Sequence, residues 1–341
     1  MNEPLRIPVF TFKWPGACSP HAHAIEAHVI EWIERHQLTR NGELRARTIR
    51  ARYGWLAARC YPNAPLQLLQ TIADYIAWLF LVDDLFFDRV QTLSPHTVGN
   101  ISAIIDVLDL NTSRPKPVYG ERALLDICQR FRQQLDVERF QHFAHGTRMM
   151  YGAAALQILA HLNNNPTTLH QYECIRRHGS GLIPCLALVD SAAGLPLAGE
   201  IRFSPEVEQL KNSTNTIVSL SNDIFSLAIE LKQPGQYENM VTLQAGHPPA
   251  LQHGIDLTAN KVRLEIERFT ELSEQLLACA QPALKHYIEG LRYWLSGHQR
   301  WVEDDTARYS AEFSDSDADQ QRVAEAVQAR ITLLRPEARY P

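Results

Sequence analysis

Apolar residues recur along this chain at intervals of three and four positions, which is the repeat of an α-helix with one buried face. Such stretches cover residues 64–89, 137–162, 205–231 and 260–303, the last with a break near Pro282. All of them are too long for β-strands. The alternating pattern of a strand bounded by hairpin turns is essentially absent. The hydrophobic pattern therefore predicts an all-α protein.

Short turn signals separate the helical stretches, and neither an internal repeat nor a long linker divides the chain. Ser19 and Pro20 have the pattern of a helix start, an N-cap residue followed by proline at the first helical position. We expect one domain over residues 1–310. A polar tail follows over residues 311–341, in which residues 319–334 have the pattern of one more helix.

The composition excludes several classes of protein. Of 341 residues 45% are hydrophobic, and 33 Lys and Arg against 38 Asp and Glu give a net charge of −5. This is too apolar and too weakly charged for intrinsic disorder, and no basic block is present for binding nucleic acid. The longest uncharged apolar run, residues 75–82, is too short to span a membrane, and no secretory signal is visible. Six scattered cysteines lack metal-binding spacing and are expected to be reduced, which favours a cytoplasmic protein.

Three aspartates, Asp83, Asp84 and Asp88, directly follow the most apolar stretch of the chain. On a helix, Asp84 and Asp88 lie one turn apart on the same face, and Asp83 lies about 100° from Asp84. Like charges this close repel each other unless a cation lies among them. Carboxylate oxygens are the ligands that Mg²⁺ prefers. A solvated helix end explains the cluster equally well when it is considered by itself.

A second polar group changes this balance. Asn222, Ser226 and Glu230 stand at positions i, i+4 and i+8, which places them along one helical stripe about 6 Å apart per step. Their amide, hydroxyl and carboxylate oxygens suit Mg²⁺ and do not suit zinc, which prefers nitrogen and sulfur. A solvated helix face often has such a stripe. Together with aspartates on another long helix, however, it indicates two walls of one metal–diphosphate site.

The segments DDLFFD and NDIFSLAIE, together with Arg308-Tyr309, resemble the class I terpene synthases of the microbial, single-domain type. The resemblance spans most of the chain. It implies a helical bundle around a central apolar pocket, with three Mg²⁺ ions that bind the diphosphate of an isoprenoid substrate. It also implies an activity: a terpene cyclase ionises an allylic diphosphate, most often farnesyl diphosphate, and cyclises the cation to a sesquiterpene.

The resemblance also implies roles for single residues. The expected metal ligands are Asp83, helped by Asp84 or Asp88, for two ions and Asn222, Ser226 and Glu230 for the third. Arg176 lies 46 residues before the Asn of the second motif, which is the family's spacing for an arginine that senses diphosphate. Arg308 and Tyr309 are expected to bind the diphosphate as well, because a guanidinium stays charged and donates in a fork.

Two positions depart from the family pattern. The family often has Lys just before the final Glu of the second motif, where this chain has Ile229. Lys232, two residues after that Glu, is the expected substitute for binding diphosphate. Beyond the sensor, Gly179 and Ser180 stand where a polar residue and then Gly are usual, and they can still form the helix break that is thought to help trigger ionisation.

The apolar run before Asp83 supplies Trp78 and Phe80 as candidate walls of the pocket, since aromatic faces stabilise a carbocation. Ordinary core packing is the simpler expectation for any single aromatic residue. Phe80 is our candidate for the wall.

Several alternatives stay open. A deeper pocket would admit geranylgeranyl diphosphate and make the protein a diterpene synthase. A chain-elongating prenyltransferase fits less well, because it carries a second DDxxD motif and lysines for isopentenyl diphosphate, whereas this chain has only six lysines. A helical binding protein that keeps the site as a relic is not favoured, because every ligand position holds a competent residue. The sequence does not determine the oligomeric state, although homodimers are common among helical folds of this kind.

Overall fold

The computed structural model describes residues 5–39, 41–86, 96–162, 167–232, 239–246 and 250–309, without the side chains of residues 84–86 and 161. Every regular element in these ranges is helical, which confirms the all-α prediction. The helices are α1 (Ala22–Arg35), α2 (Gly42–Ala51), α3 (Tyr53–Cys60), α4 (Leu66–Phe86), α5 (Thr97–Leu110), α6 (Glu121–Gln134), α7 (Val137–Leu162), α8 (Leu169–Gly179), α9 (Leu182–Leu186), α10 (Val189–Ala192), α11 (Gly199–Arg202), α12 (Pro205–Glu230), α13 (Met240–Ala245), α14 (Leu251–Leu277) and α15 (Pro282–Arg300), which continues into a π-helical turn (Trp301–Asp305).

The long predicted helices are present with small changes at their ends. Helix α7 has the predicted bounds, and α12 ends one residue early. Helix α14 begins at Leu251, nine residues before the predicted start. The sequence hides this first part because Gly254 interrupts the apolar pattern. A Cβ atom on Gly254 would lie 2.3 Å from the carbonyl oxygen of Val241, so the glycine lets α14 pack directly against α13.

The predicted start of the first helix is wrong by two residues. Helix α1 begins at Ala22, and its N-cap residue His21 makes no side-chain capping bond. Ser19 instead accepts a hydrogen bond from the His21 amide at 3.3 Å and donates its own amide to the carbonyl of Ala58 at 2.9 Å. Ser19 is therefore used to fasten the chain to α3 rather than to cap α1.

Helix α4 runs through the core, where it contacts α1, α3 and α6. By length and composition its first 18 residues could cross a membrane, but 67% of them are buried inside the protein, as expected for a core helix. Trp78 is fully buried, stacks on Tyr75 with ring centroids 5.8 Å apart, and donates a hydrogen bond to the Gly120 carbonyl at 2.8 Å. Trp78 thus packs in the core and is not a wall of the predicted pocket.

The C-terminal end of the described chain is fastened to the junction of α2 and α3. The Trp301 indole donates to the carbonyls of Ala51 and Arg52 at 3.1 and 2.9 Å, and the Ala307 amide donates to the carbonyl of Arg50 at 3.0 Å. In addition, Asp305 forms an ion pair with Arg59 of α3. These contacts hold the segment that carries Arg308 and Tyr309 against the rest of the bundle.

Candidate active site

Helix α12 carries the second motif, and its sequence explains why it runs unbroken for 26 residues. Ser204 caps its N-terminus by accepting the Val207 amide at 3.4 Å, and Pro205 occupies the first helical position. Because the helix is regular to Glu230, Asn222, Ser226 and Glu230 do lie along one stripe, as their spacing predicts.

Asn222 connects two of the other predicted site residues. Its side-chain oxygen accepts a hydrogen bond from the Arg176 guanidinium at 2.9 Å. Its amide nitrogen donates to the hydroxyl of Tyr309 at 2.7 Å. Residues from α8, from α12 and from the C-terminal segment therefore meet at this one amide, although 46 and 87 residues separate its two partners from it.

Arg176 has a strongly anionic environment. Its guanidinium lies 2.8 Å from a carboxylate oxygen of Asp223 and donates to the Ser219 carbonyl at 3.3 Å. Burial acts to lower the pKa of Arg176, but the negative charges of Asp223, Glu230 and Asp83 outweigh it, and the pKa is raised above its ordinary value. Arg176 therefore remains cationic at every physiological pH.

Asp223, which no sequence prediction singled out, is the anchor of Arg176. It is buried, and besides the ion pair it accepts hydrogen bonds from the Tyr172 hydroxyl at 2.6 Å and the Met240 amide at 3.1 Å. The sequence carries one signal that points to it. On α12 it lies between Leu220 and Leu227 at helical spacing, so it is an acid on the apolar face of the helix.

The other two predicted ligands of the second motif, Ser226 and Glu230, also have defined contacts. The Ser226 hydroxyl donates to the Asn222 carbonyl at 2.8 Å, and a carboxylate oxygen of Glu230 accepts from the Asn239 amide at 2.7 Å. Among the described residues no group of three or more His, Cys, Asp and Glu could hold a metal ion. The candidate metal ligands on α12 are instead the amide oxygen of Asn222, the hydroxyl of Ser226 and the carboxylate of Glu230. Such a set of oxygen atoms fits a hard divalent cation.

The aspartate cluster is only partly within the described residues. Asp83 is half-buried near the end of α4, and its charge contributes to the raised pKa values of both Arg176 and Tyr151. The negative charge of Asp83, in the first motif, therefore acts on Arg176, which donates a hydrogen bond to Asn222 of the second motif. Asp84 lies in α4, but its side chain is outside the described part of the chain, as is the whole of Asp88.

Arg308 and Phe80 contact each other. The guanidinium carbon of Arg308 lies 4.7 Å from the centroid of the Phe80 ring, and the same guanidinium donates to the Tyr53 hydroxyl at 3.1 Å. Phe80 also stacks on Tyr53, with centroids 4.9 Å apart, and lies 5.9 Å from Trp301. These ring contacts continue from Trp301 to Tyr309 at 5.8 Å, so a row of aromatic residues follows the diphosphate-binding candidates.

His298 lies beside these aromatic rings without a role predicted from the sequence. Its ring is 6.2 Å from that of Trp301 and 6.4 Å from that of Phe225. Burial lowers the pKa of His298 to about 4, and the charge of Arg176 adds to the effect, so the imidazole is neutral at pH 7.

The predicted helix break follows Arg176 on α8. Helix α8 ends at Gly179, and Gly181 adopts a φ of +71° before α9 begins. The Ser180 hydroxyl donates to the side chain of Asn215 at 2.9 Å, which ties the break to α12. Lys232 is exposed in the turn after α12.

Comparison with known proteins agrees with this arrangement. Residues 74–268, more than half of the chain, match the model of terpene synthase family 2, C-terminal metal binding. The chain belongs to the terpene synthase family. The resemblance read from the motifs is thereby confirmed, and the matched domain of this terpene synthase is one that binds a divalent metal.

Two curated relatives cover nearly the whole chain. A sesquiterpene synthase of Metarhizium brunneum (strain ARSEF 3297) is 48% identical over 315 residues, 92% of each chain. The (+)-corvol ether B synthase/(+)-corvol ether A synthase of Kitasatospora setae, described as (2E,6E)-farnesyl diphosphate cyclizing, is 48% identical over 317 residues, 93% of this terpene synthase and 99% of the relative.

Solved structures share the fold. The SVS_A2 protein from ancestral sequence reconstruction superposes with a TM-score of 0.80 at 21% identity, over 96% of this chain and 100% of that one. Hedycaryol synthase in complex with HEPES gives 0.73 at 22% identity, over 88% and 99%. These matches confirm the predicted all-α helical bundle.

Proposed function

We propose that this terpene synthase is a sesquiterpene cyclase that ionises farnesyl diphosphate and cyclises the resulting cation. One observation carries the proposal: Arg176, Asn222 and Tyr309 form a single hydrogen-bonded group within the field of Asp83. The two 48% identical relatives, named a sesquiterpene synthase and a farnesyl diphosphate cyclizing synthase, support the choice of substrate.

In this proposal the metal is Mg²⁺ and three ions are bound. Asp83, helped by Asp84 or Asp88, would hold two of them, and Asn222, Ser226 and Glu230 would hold the third. Bound there, such ions would supply positive charge that stabilises the departing diphosphate. The Asn222 oxygen that would bind the metal accepts a hydrogen bond from Arg176 in the structure.

In this proposal one set of residues binds the diphosphate and another stabilises the cation. Arg176, Arg308, Tyr309 and Lys232 are the donors proposed to bind diphosphate oxygens. The C–O bond of the substrate breaks heterolytically, its electron pair leaves with the diphosphate, and an allylic cation remains. Phe80 and its aromatic neighbours shield that cation from water and stabilise it until a ring closes and a proton is lost or water is captured.

Other parts of the proposal rest on the sequence pattern and on the family resemblance. We propose a catalytic domain over residues 1–310, a tail over residues 311–341, a break at Gly179 and Ser180 that moves when diphosphate binds, a homodimeric assembly and a cytoplasmic location. The experiment that tests the function is incubation of the purified protein with Mg²⁺ and geranyl, farnesyl or geranylgeranyl diphosphate separately, followed by gas chromatography–mass spectrometry. We expect a cyclic sesquiterpene from farnesyl diphosphate.

Other results of this experiment support other functions. A cyclic product from geranylgeranyl diphosphate only would make the protein a diterpene synthase. Longer prenyl diphosphates that form only after isopentenyl diphosphate is added would make it an elongating transferase.

Matched variants test the site: Asn222→Ala and Glu230→Gln should lose most turnover while they keep the helical circular dichroism of the wild type. Normal turnover in either variant would refute the third metal site.

A further inference from the structure

Asn239 is the N-cap residue of helix α13, and both polar atoms of its side chain form hydrogen bonds. Its oxygen accepts the backbone amide of Thr242 at 3.0 Å, while its nitrogen donates to a Glu230 carboxylate oxygen at 2.7 Å and to the Asp223 carbonyl at 3.2 Å. The residue is 4% exposed. It therefore links the start of α13 to two points on α12.

The chemistry of these partners determines which way the amide points. If it were flipped, its nitrogen would face the N–H of Thr242 and its oxygen would face the Glu230 carboxylate, and both contacts would be repulsive. The group that faces Glu230 is thus a donor. A donor cannot bind a cation, so Asn239 is not a metal ligand.

Glu230 needs such a donor because of its place in the helix. It is the last residue of α12, where the partial negative charge of the helix end repels a carboxylate. It also stands eight residues after Asn222, about 12 Å along the helix axis. A freely rotating side chain there would seldom present its oxygen near the other two ligands.

Asn239 counteracts both effects. A single nitrogen bonds the Glu230 carboxylate and the carbonyl of Asp223, so that carboxylate lies within two hydrogen-bond lengths of a backbone atom seven residues earlier. The side chain is held back along α12 towards Asn222 and Ser226. The support is firm, because Met240 and Val241, which follow Asn239, are fully buried.

We propose that Asn239 is a positioning residue of the metal site, which orients Glu230 through its side-chain nitrogen and so raises the affinity for the divalent metal. The proposal rests on the proposed function, in which Glu230 is a metal ligand. Partners that orient metal ligands typically contribute about 10–100-fold to metal affinity.

The test separates orientation of Glu230 from capping of α13. In Asn239→Ser the cap is kept, since serine is an equally good N-cap residue, but the side chain is too short to reach Glu230. In the control Thr242→Ala, the hydroxyl that accepts the Asn239 amide at 3.1 Å is lost, while the contact with Glu230 stays. Thermal unfolding of each full-length protein is followed while Mg²⁺ is titrated at a fixed concentration of inorganic diphosphate.

We expect the half-saturating Mg²⁺ concentration to rise about 10–100-fold in Asn239→Ser and to stay within twofold of wild type in Thr242→Ala. An unchanged value in Asn239→Ser, or an equal rise in the control, would overturn the proposal. Should Asn239→Ser lose its cooperative transition, Asn239→Thr offers the same cap with more volume and the same expected rise. If the wild type itself shows no Mg²⁺-dependent stabilisation, the proposed function fails instead.

Discussion

Replacing Asp223 by Asn is the sharpest test of how the site is held together. The substitution keeps the size of the side chain and removes its charge. In the folded protein this carboxylate forms an ion pair with Arg176 at 2.8 Å and accepts hydrogen bonds from the Tyr172 hydroxyl at 2.6 Å and the Met240 amide at 3.1 Å. An asparagine can keep at most the acceptor half of these contacts, and its NH₂ group then faces another donor.

The structure sets the expected magnitude. Breaking a buried ion pair by removing one partner costs about 3–5 kcal/mol, because the other charge is left uncompensated. The Asp223 side chain is 2% exposed, but that of Arg176 is 24% exposed, so water screens part of the penalty. We expect the free energy of unfolding to fall by about 3 kcal/mol.

The assay is urea unfolding followed by far-ultraviolet circular dichroism, with the slope of the transition compared between variants. Glu173→Gln is the matched control. It removes an acid from the same helix as Arg176, and its ion pair with Lys261 is exposed, so the expected loss is under about 1 kcal/mol. An Asp223→Asn variant no less stable than this control would refute the reasoning.

Three further predictions concern other parts of the bundle. Burial raises the pKa of Glu26 to about 7 from 4.5, so the folded protein binds this proton more tightly than the unfolded chain and becomes less stable as pH rises from about 4.5 to 7. In Glu26→Gln the midpoints of unfolding measured at pH 5 and at pH 8 should therefore lie closer together than in wild type. An unchanged difference between the two midpoints would contradict this prediction. Gly181→Ala should lower the free energy of unfolding by about 2 kcal/mol in denaturant, because φ is +71° and the new Cβ would lie 2.6 Å from a leucine methyl of α4. Gly194→Ala should lower it less, because its φ of +75° is similar but the space around it is open. Equal losses in the two variants would show that the contact with the leucine contributes nothing. Asp305→Asn breaks the ion pair with Arg59 of α3, so it should speed hydrogen exchange in residues 301–309 and raise KM. The control Asp304→Asn changes an exposed carboxylate and should leave the exchange rates and KM near those of the wild type. Unchanged exchange in Asp305→Asn would show that the ion pair does not hold this segment.

Much of the fold could be predicted from local patterns. Helix α7 has the predicted bounds because an unbroken helical pattern runs between two turn signals. Asn222, Ser226 and Glu230 share a stripe because the periodicity of a regular helix sets the direction of each side chain. The errors lie where a residue serves a distant contact: Ser19 bonds α3 instead of capping α1, and Gly254 lets α14 approach α13.

The site divides in the same way. That Arg176 belongs with Asn222 came from a family resemblance, since no local rule joins residues 46 positions apart. Asp223 was overlooked because an acid beside a motif looks like any polar residue until its buried partners are known. Likewise, nothing in the sequence tells Trp78, which packs in the core, from Phe80, which contacts Arg308.

The sequence by itself determined the helical class, the positions of the long helices and, through its motifs, the family. These depend on the periodicity and chemistry of neighbouring residues. Only the tertiary structure decided that Asp223 anchors Arg176, that Asn239 holds Glu230 and that Asp305 fastens the C-terminal segment. Each of these contacts joins separate helices or loops, and which of them meet depends on how the whole bundle packs.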